Sequence, residues 1–321
     1  MSAIRRLGLT VILLGLAAAS APAGMLDSML ENFRQSEFVF GRKDTYAPFP
    51  PMAWVAVNNR GESELVVDDR ELRFEEMSAS QFLVMPVWIG RKDMLLIGEY
   101  AAWQQIDFSA PQPGRRNLYT FVPLLGWLRQ AGEHTQLAAF VAPEYSTGDD
   151  ISGYSFSEWS GYAGVIGISW TSERFAWMYG GVAAFSHDTN MLFPYVGCLW
   201  QPTPHWSVSA ILPWPSVSYA LDHDTMFQVG ISPADGTLAA AGDDLRMSYT
   251  SWSLLFSGHR RVHKNFWLSA YVGWAGAGNF AISTHAQPET DYKFQRDMVF
   301  SLQFSFRPPT SGPTSVPAAI R

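Results

Sequence analysis

An alternation of apolar and polar residues, interrupted at Arg296 and Val299, runs through Asp291–Phe306. Side chains of a β-strand alternate between its two faces, so one face carries residues such as Phe300 and Leu302, and the other carries Ser301 and Gln303. A run of 16 residues is much longer than the roughly 5–6 residues of a typical strand. The chain must therefore fold into a β-structure that presents a tall apolar surface.

The same alternation recurs in four other segments, each predicted to be a strand with an outer apolar face: Phe266–Trp274, Trp206–Trp214, Phe175–Phe185 and Tyr162–Trp170. Aromatic residues stand at both ends of several of these faces, with aliphatic or small residues between them. Lipid-facing strands show this pattern because their ends lie in two aromatic girdles. A soluble β-sandwich, the alternative, has no need of aromatic residues at both ends of each strand. We therefore predict an all-β fold, a transmembrane antiparallel up-and-down β-barrel.

The N-terminus has the pattern of an export signal. Arg5 and Arg6 precede the apolar stretch Leu7–Ala19, which is too short for a membrane-spanning helix of about 20 residues. Small residues follow, and they predict cleavage between Ala23 and Gly24. We therefore expect residues 1–23 to be a signal peptide and the mature protein to reach the outer membrane of a Gram-negative bacterium.

Composition excludes several other classes of protein. Only 16% of residues are charged, against about 25% in an average soluble domain. The 29 acidic residues outnumber the 22 basic ones, which argues against a nucleic-acid partner. Cys198 is the single cysteine, so no disulfide forms within the chain.

Short connections alternate with long, polar ones along the chain, as in outer-membrane barrels. Laid end to end, they predict twelve strands, with long loops at residues 59–79 and 220–245 among others. The count becomes fourteen if Met226–Ile231 and Glu64–Asp68 pair into the wall. The turn His259–Lys264 is the densest basic patch, whereas the long loops are acidic and could bind cations or bridge through divalent ions to lipopolysaccharide.

Four regions follow from this division: the signal peptide (1–23), an N-terminal periplasmic segment (24–48), the barrel (49–306) and a proline-rich periplasmic tail (307–321). The last strand ends on Leu302, Phe304 and Phe306, which resembles the C-terminal signal read by the barrel-assembly machinery. Met25–Phe33 has the spacing of a short amphipathic helix. We expect outer-membrane lipid and lipopolysaccharide to surround the barrel.

The segment Pro204–Tyr219 combines Trp206, the run Leu212-Pro213-Trp214-Pro215 and a closing tyrosine. It resembles one strand of an uncharacterised family of predicted outer-membrane β-barrel proteins. The resemblance implies a fold and a location. It carries no catalytic or binding residues to this chain.

A search for catalytic motifs gives one weak constellation. The nucleophile-elbow, phosphate-loop and zinc-protease patterns are absent from the sequence. His187 and Thr189 loosely resemble the His-x-Ser-Asn element of outer-membrane lipid A deacylases, and Glu158 could orient the histidine. The competing interpretation is a polar hairpin tip. We expect no enzymatic activity and no cofactor, with lipid A 3-O-deacylation as the minor alternative.

The polar faces of the predicted strands give the candidate lumen residues: Asp297, Lys293, Gln303, Ser301, Glu158 and Glu99. Further inward positions are mostly small and weakly polar, among them Ala163, Gly167 and Ser169. A barrel of twelve strands is wider than the eight-stranded kind, so such residues leave room for a solute. The leading hypothesis is a passive channel or transporter for an unidentified small solute. A structural or binding barrel, plugged by Met25–Phe40 or by the 220–245 loop, remains an alternative.

Overall fold

The computed structural model describes residues 38, 45–67, 70–110, 114–147, 159–185, 190–239, 245–284, 287–294 and 297–308. These residues form fifteen β-segments. The segments are β1 (Ala53–Val67), β2 (Arg70–Ile89), β3 (Asp93–Ala110), β4 (Gly114–Gln130), β5 (Thr135–Thr147), β6 (Trp159–Ser172), β7 (Phe175–Phe185), β8 (Asn190–Trp200), β9 (Trp206–Leu212), β10 (Ser216–Ala220), β11 (Thr225–Ala239), β12 (Leu245–His263), β13 (Phe266–Thr284), β14 (Gln287–Phe294) and β15 (Asp297–Phe306). Within the described ranges, no helix is long and apolar enough to cross a membrane.

The sheet closes on itself as an antiparallel barrel. Each strand pairs with the next along the chain, and β1 closes the ring by pairing with β15, from Ala53 opposite Phe306 to Arg60 opposite Val299. Segments β14 and β15 both lie between β13 and β1, at different heights, and together make one wall strand. The described chain therefore forms a fourteen-stranded all-β barrel, the larger of the two predicted strand counts.

The two extra strands come from one region. Residues 205–219, predicted as a single strand, form the hairpin β9–β10 with its tip at Pro213–Pro215. Residues 220–245, predicted as a long loop, contain all of β11, and this strand includes Met226–Ile231. The prediction of a loop over 220–245 was therefore wrong.

Several strands also extend further than predicted. Residues 59–79 are the upper parts of β1 and β2, paired with each other up to Val67 opposite Arg70, rather than a loop. Glu64–Val67 thus lengthens β1 and adds no strand. At the opposite end, β12 continues to His263, so most of the predicted basic turn His259–Lys264 is strand. The sequence did not predict these strand ends because they are polar. Apolar residues need to alternate only where a strand crosses the outer apolar belt.

The outer face of the barrel is apolar and exposed, whereas the inner face is largely buried. The predicted outer faces of β7, β9, β13 and β15 are confirmed. On β13, for example, Leu268 and Trp274 are exposed, while Trp267 and Ser269, on either side of Leu268, are buried. Leu302 and Phe304 of the predicted assembly signal likewise lie on the outer face of β15.

Strand β6 reverses its predicted orientation. Val165 is exposed on the outer face, and Gly167 and Ser169 pair with the outward-facing Tyr179 and Trp177 of β7. Paired residues share a face of the sheet, so Ala163, Gly167 and Ser169 face outwards rather than into the lumen. Tyr162–Trp170 therefore turns its predicted lipid-facing set inwards.

Candidate functional site

A buried ionic cluster lies in the middle of the lumen. Arg60 on β1 is 3.3 Å (Nε) from Oδ2 of Asp297 on β15 and 3.9 Å (Nη1) from Oε2 of Glu76 on β2. These side chains are 9%, 2% and 19% exposed, respectively. Pairing of β1 with β2 and β15 brings the three strands together, and the inward parity of Arg60 and Glu76 points them at one another. Charged groups buried this deeply interact with one another rather than with water.

A second polar cluster fills the end of the barrel at which β1 begins and β15 ends, which we call the lower end. His259 Nδ1 is 2.7 Å from Ser269 Oγ and 3.3 Å from Arg307 Nη2, and His259 Nε2 is 2.9 Å from Ser257 Oγ. A guanidinium can only donate hydrogen bonds, so Nδ1 accepts. Arg307 also lies over the ring of Trp267 at 5.4 Å. Ser269 is fully buried, so this Ser–His pair is a packed structural group to which no substrate has access.

The lumen beside the ionic cluster is apolar on one side, and the barrel is narrow. Phe74, Ile106 and Leu118 on β2, β3 and β4 are buried, and Ile106 lies directly opposite Glu76 of the ionic cluster. Across the ring, Cα atoms of β11 come within 8 Å of those of β5, a separation smaller than the ~10 Å between packed sheets. Side chains rather than a column of water occupy the lumen at that point.

The outer wall is indented on the same side as the narrowing. An apolar concavity of about 910 Å³ crosses the outer face from β9 to β1. Its outward-facing lining residues include Val57, Phe227, Phe256, Val272, Phe300 and Leu302. We interpret the concavity as the outer side of the wall that bends towards β5.

The hairpin β9–β10 leaves a notch in the upper wall. Strand β8 pairs with β9 only over Val196–Trp200, and β11 pairs with β10 only over Met226–Gly230. On the β11 side, the Ile231 N–H donates to the Pro215 carbonyl at 3.0 Å. Above the hairpin, residues 190–195 pair with β7 and residues 233–239 pair with β12, and within the described ranges no strand pairs with their other edges. We call this break in the wall the β8–β11 notch.

The rim of the notch is apolar and lacks backbone donors at two positions. Leu192 is 75% exposed, and Trp214 at the hairpin tip is 45% exposed with its ring 5.9 Å from that of Tyr195. Pro194 and Pro233 lie in the two free edges. Proline and other blocking devices keep sheet edges from acquiring an extra strand, so these edges are suited to remain unpaired.

A described segment before β1 enters the mouth at the lower end of the barrel, near the turn 221–224. Tyr46 packs edge-on against His205 and His223, 4.6 and 4.4 Å between ring centroids. In that turn, the Asp224 N–H donates to Asp222 Oδ1 at 2.7 Å, and it holds the pKa of the Asp222 carboxyl below its usual range. This hydrogen bond therefore stabilises the turn at pH values above the usual pKa of a carboxyl group. The stabilisation is lost as the pH falls through the lowered pKa of Asp222.

The structure brings only some of the predicted site residues together. Asp297 joins the ionic cluster, Gln303 accepts a 2.5 Å hydrogen bond from the Tyr271 hydroxyl, and Ser301 faces inwards beside them. Glu99, predicted to face the lumen, instead lies on the outward face of β3, where its Oε1 accepts from Gln81 Nε2 at 2.9 Å. The prediction assigned the wrong face of β3 to the lumen, because Tyr100 and not Glu99 faces inwards. Four residues or residue pairs lie outside the described side chains: Lys293; His187 and Thr189; Glu158; and Ala23 with Gly24.

Sequence reasoning missed Arg60, Glu76 and His259 as lumen groups. The first two lie in a segment read as an acidic loop, and the third lies in one read as a basic turn. Each of the three lies within four positions of the end of a predicted strand, and that proximity was the available signal. Among the described residues, no group of three or more His, Cys, Asp or Glu side chains is arranged to hold a metal ion.

Comparison with known proteins finds structural likenesses alone. No family model matches the chain, and no curated protein matches it in sequence. The toluene transporter TodX of Pseudomonas putida shares 10% identity at a TM-score of 0.44, over 82% of this chain and 91% of TodX. An outer-membrane channel from Pseudomonas putida F1 shares 14% identity at a TM-score of 0.42, over 81% and 98%. The translocator domain of the autotransporter NalP from Neisseria meningitidis shares 5% at a TM-score of 0.37, over 80% and 88%.

Proposed function

We propose that this protein is an outer-membrane transporter that passes a small, largely apolar solute between the barrel lumen and the bilayer through the β8–β11 notch. The notch is the observation that carries the proposal. Strands β8 and β11 face each other there above the hairpin β9–β10, whose strands have 7 and 5 residues. No described strand lies between β8 and β11 above the hairpin. A solute in the upper lumen therefore has a sideways route that crosses no hydrogen-bonded wall.

The outer surface supports a location in the bilayer. The exposed outer side chains of the described strands are predominantly large and apolar. A closed barrel is one of the two structures that can span a bilayer, and in the described residues its wall is interrupted at the notch. The predicted export signal gives the route to the outer membrane. Lipid would then meet the notch directly.

The chemistry of the notch and lumen suggests the class of solute. Leu192, Leu212 and Trp214 line the rim with exposed apolar surface, and Phe74 and Ile106 line the upper lumen. The narrow lumen and the ionic cluster leave little room for a stream of hydrated ions. Transport would be passive. The solute would partition into the rim and move down its own concentration gradient, which requires neither a cofactor nor an energy source.

The test compares uptake of an apolar fluorescent probe, N-phenyl-1-naphthylamine, by cells with an intact lipopolysaccharide surface, with and without the protein. We expect production of the protein to raise the initial rate several-fold. Leu192→Arg, which places a charge on the rim, should remove most of that increase. The matched control is Phe121→Arg, which places the same charge on the exposed outer face of β4, away from the notch. Heat-modifiable migration confirms that each variant forms a barrel.

Equal loss in both arginine variants, or no increase with the wild type, would refute the notch as a route. Planar-bilayer recordings of the wild type should show only small currents. Large stepwise currents would instead indicate a wide aqueous pore. A folded barrel with neither uptake nor current is the result expected of a structural barrel, which the narrow lumen also suits.

A further inference from the structure

The residues Thr45–Met52 form a strap that enters the barrel from the periplasmic side. One end is fixed to the wall beside β1: the Met52 N–H donates to the Phe306 carbonyl at 3.0 Å, and the Met52 carbonyl accepts from the Val84 N–H at 2.8 Å. These bonds continue the β1 pairing by one residue on each side. The strap is thus a direct extension of the strand that closes the ring.

The other end of the strap docks on the opposite part of the rim. The Tyr46 N–H donates to the Pro204 carbonyl, in the β8–β9 turn, at 2.9 Å. The Tyr46 ring lies edge-on to both His205 and His223. His205 is itself fixed, because its Nδ1 donates to the Ala220 carbonyl at 2.7 Å.

The strap lies inside the mouth rather than along its rim. Ala47 packs against Ala220 and Met226, which both face inwards on β10 and β11. Thr45, Ala47 and Pro48 are buried. Around the ring, β11, β12, β13 and β15 lie between the docking end and Met52, so the chain must cross part of the opening to join the two points.

The sequence of the strap makes it stiff. Pro48, Pro50 and Pro51 fix three φ angles and offer no N–H for a sheet. Such a segment stays extended and behaves as a short rod. Movement of the rod would concentrate at its two ends, which are the hydrogen bonds of Met52 and the contacts of Tyr46.

We propose that the strap is a gate of the periplasmic mouth, hinged at Met52 and latched by Tyr46 between His205 and His223. Release of Tyr46 lets the strap swing out of the mouth and connects the lumen with the periplasm. The use of this gate rests on the proposed transport function, because a solute that enters through the notch needs a second exit. The gate itself is testable without any transported solute.

The first experiment measures docking of the strap. Ala47→Cys in a Cys198→Ser background places a single buried thiol on the strap, and its rate of maleimide labelling reports release. Tyr46→Ala removes both ring contacts and should raise that rate about tenfold, as expected for two aromatic pairs. His223→Ala should give a smaller rise. Tyr46→Phe keeps the ring and should label as slowly as the parent.

The second experiment measures the opening. Ion current through refolded protein in planar bilayers should rise in Tyr46→Ala relative to Tyr46→Phe. Adding the pair Ala47→Cys and Ala220→Cys to Tyr46→Ala, in the Cys198→Ser background, allows the strap to be locked covalently. Oxidation should suppress the added current, and reduction should restore it.

Faster labelling with an unchanged current in Tyr46→Ala overturns the gate. Unchanged labelling overturns the latch, as does failure of the two introduced cysteines to cross-link. If Tyr46→Ala does not form a heat-modifiable barrel, the same comparison is made between His223→Ala and the oxidised and reduced lock on the parent chain. A current controlled by the strap, without uptake of the apolar probe, would support the gate and reject the proposed transport.

Discussion

Two parts of the same wall differ in height by more than a factor of two. Strands β12 and β13 have 19 residues each, whereas β9 and β10 have 7 and 5. Both parts show the same alternation of apolar and polar residues. The short part ends at Pro213 and Pro215, which supply no N–H for the ladder. Alternation thus sets which face a residue occupies, whereas prolines set how high the wall rises.

The two parts also differ in what they enclose. The tall part continues around the ring from β12 and β13 through β15 and β1 to β2, and it carries the ionic cluster of Arg60, Glu76 and Asp297 and the polar cluster of His259. The hairpin contributes mainly small inward side chains, such as Ser207 and Ser209. Mutations should therefore be most costly in the tall part, and alterations of the hairpin should change the notch before they change the barrel.

Removing the cation from the tall part should have the largest effect. Arg60→Ala leaves Asp297 and Glu76 buried without their partner, and should lower the free energy of unfolding by about 3–5 kcal/mol. The measurement is the urea midpoint in detergent or lipid. Arg129→Ala breaks the half-exposed pair with Asp93, 3.2 Å in the structure, and should cost at most about 1 kcal/mol. Equal effects would show that the cluster is solvated.

A methyl group beside the tip of the hairpin should have an intermediate effect. A Cβ at Gly197 on β8 would press against the carbonyl oxygen of Ala210 on β9, so Gly197→Ala should cost about 1–3 kcal/mol as the hairpin shifts. Gly181→Ala is the control, because its nearest neighbour would be Leu192 Cδ1 at 3.5 Å. Equal urea midpoints for the two variants would contradict a tightly fitted β8–β9 contact.

The smallest effect on stability is expected at the free edge of the notch. Pro194→Val restores a backbone donor on β8 and should change the free energy of unfolding by no more than about 0.5 kcal/mol. It should nevertheless favour edge-to-edge association, seen as a dimer band on unheated gels. Val165→Thr, on the outer face of the fully paired β6, is the control. A dimer in neither variant would mean that the edge is shielded by something other than its proline.

The sequence predicted faces well where one face was plainly polar. On β15, Ser301 and Gln303 oppose Phe300 and Leu302, and that orientation is confirmed. On β6 both faces are small or apolar, with Ile166 opposed by Val165. A narrow lumen buries apolar side chains as a bilayer does, so polarity could not distinguish inside from outside there.

Height and closure were harder to predict. The alternation from Trp206 to Trp214 runs into the tip, and Val217 and Tyr219 resume it with the opposite parity, so a hairpin was predicted as one long strand. The upper ends of β1 and β2 are charged, because strands that rise above the apolar belt need no apolar face. The strap gave no periodic signal at all. Its single clue was the run Pro48–Pro51. The residue to which Thr45 and Tyr46 bind, Pro204, lies more than 150 residues further along the chain.

The order of the ring has a consequence for how the molecule is made. Strand β1 pairs with the final segment, β15, so an assembling barrel remains an open sheet until the last part of the chain has arrived. The strap leads directly into β1 and is carried with it. Closing the ring therefore brings the strap to the mouth in the same step. The strap then already occupies this mouth in each newly assembled barrel.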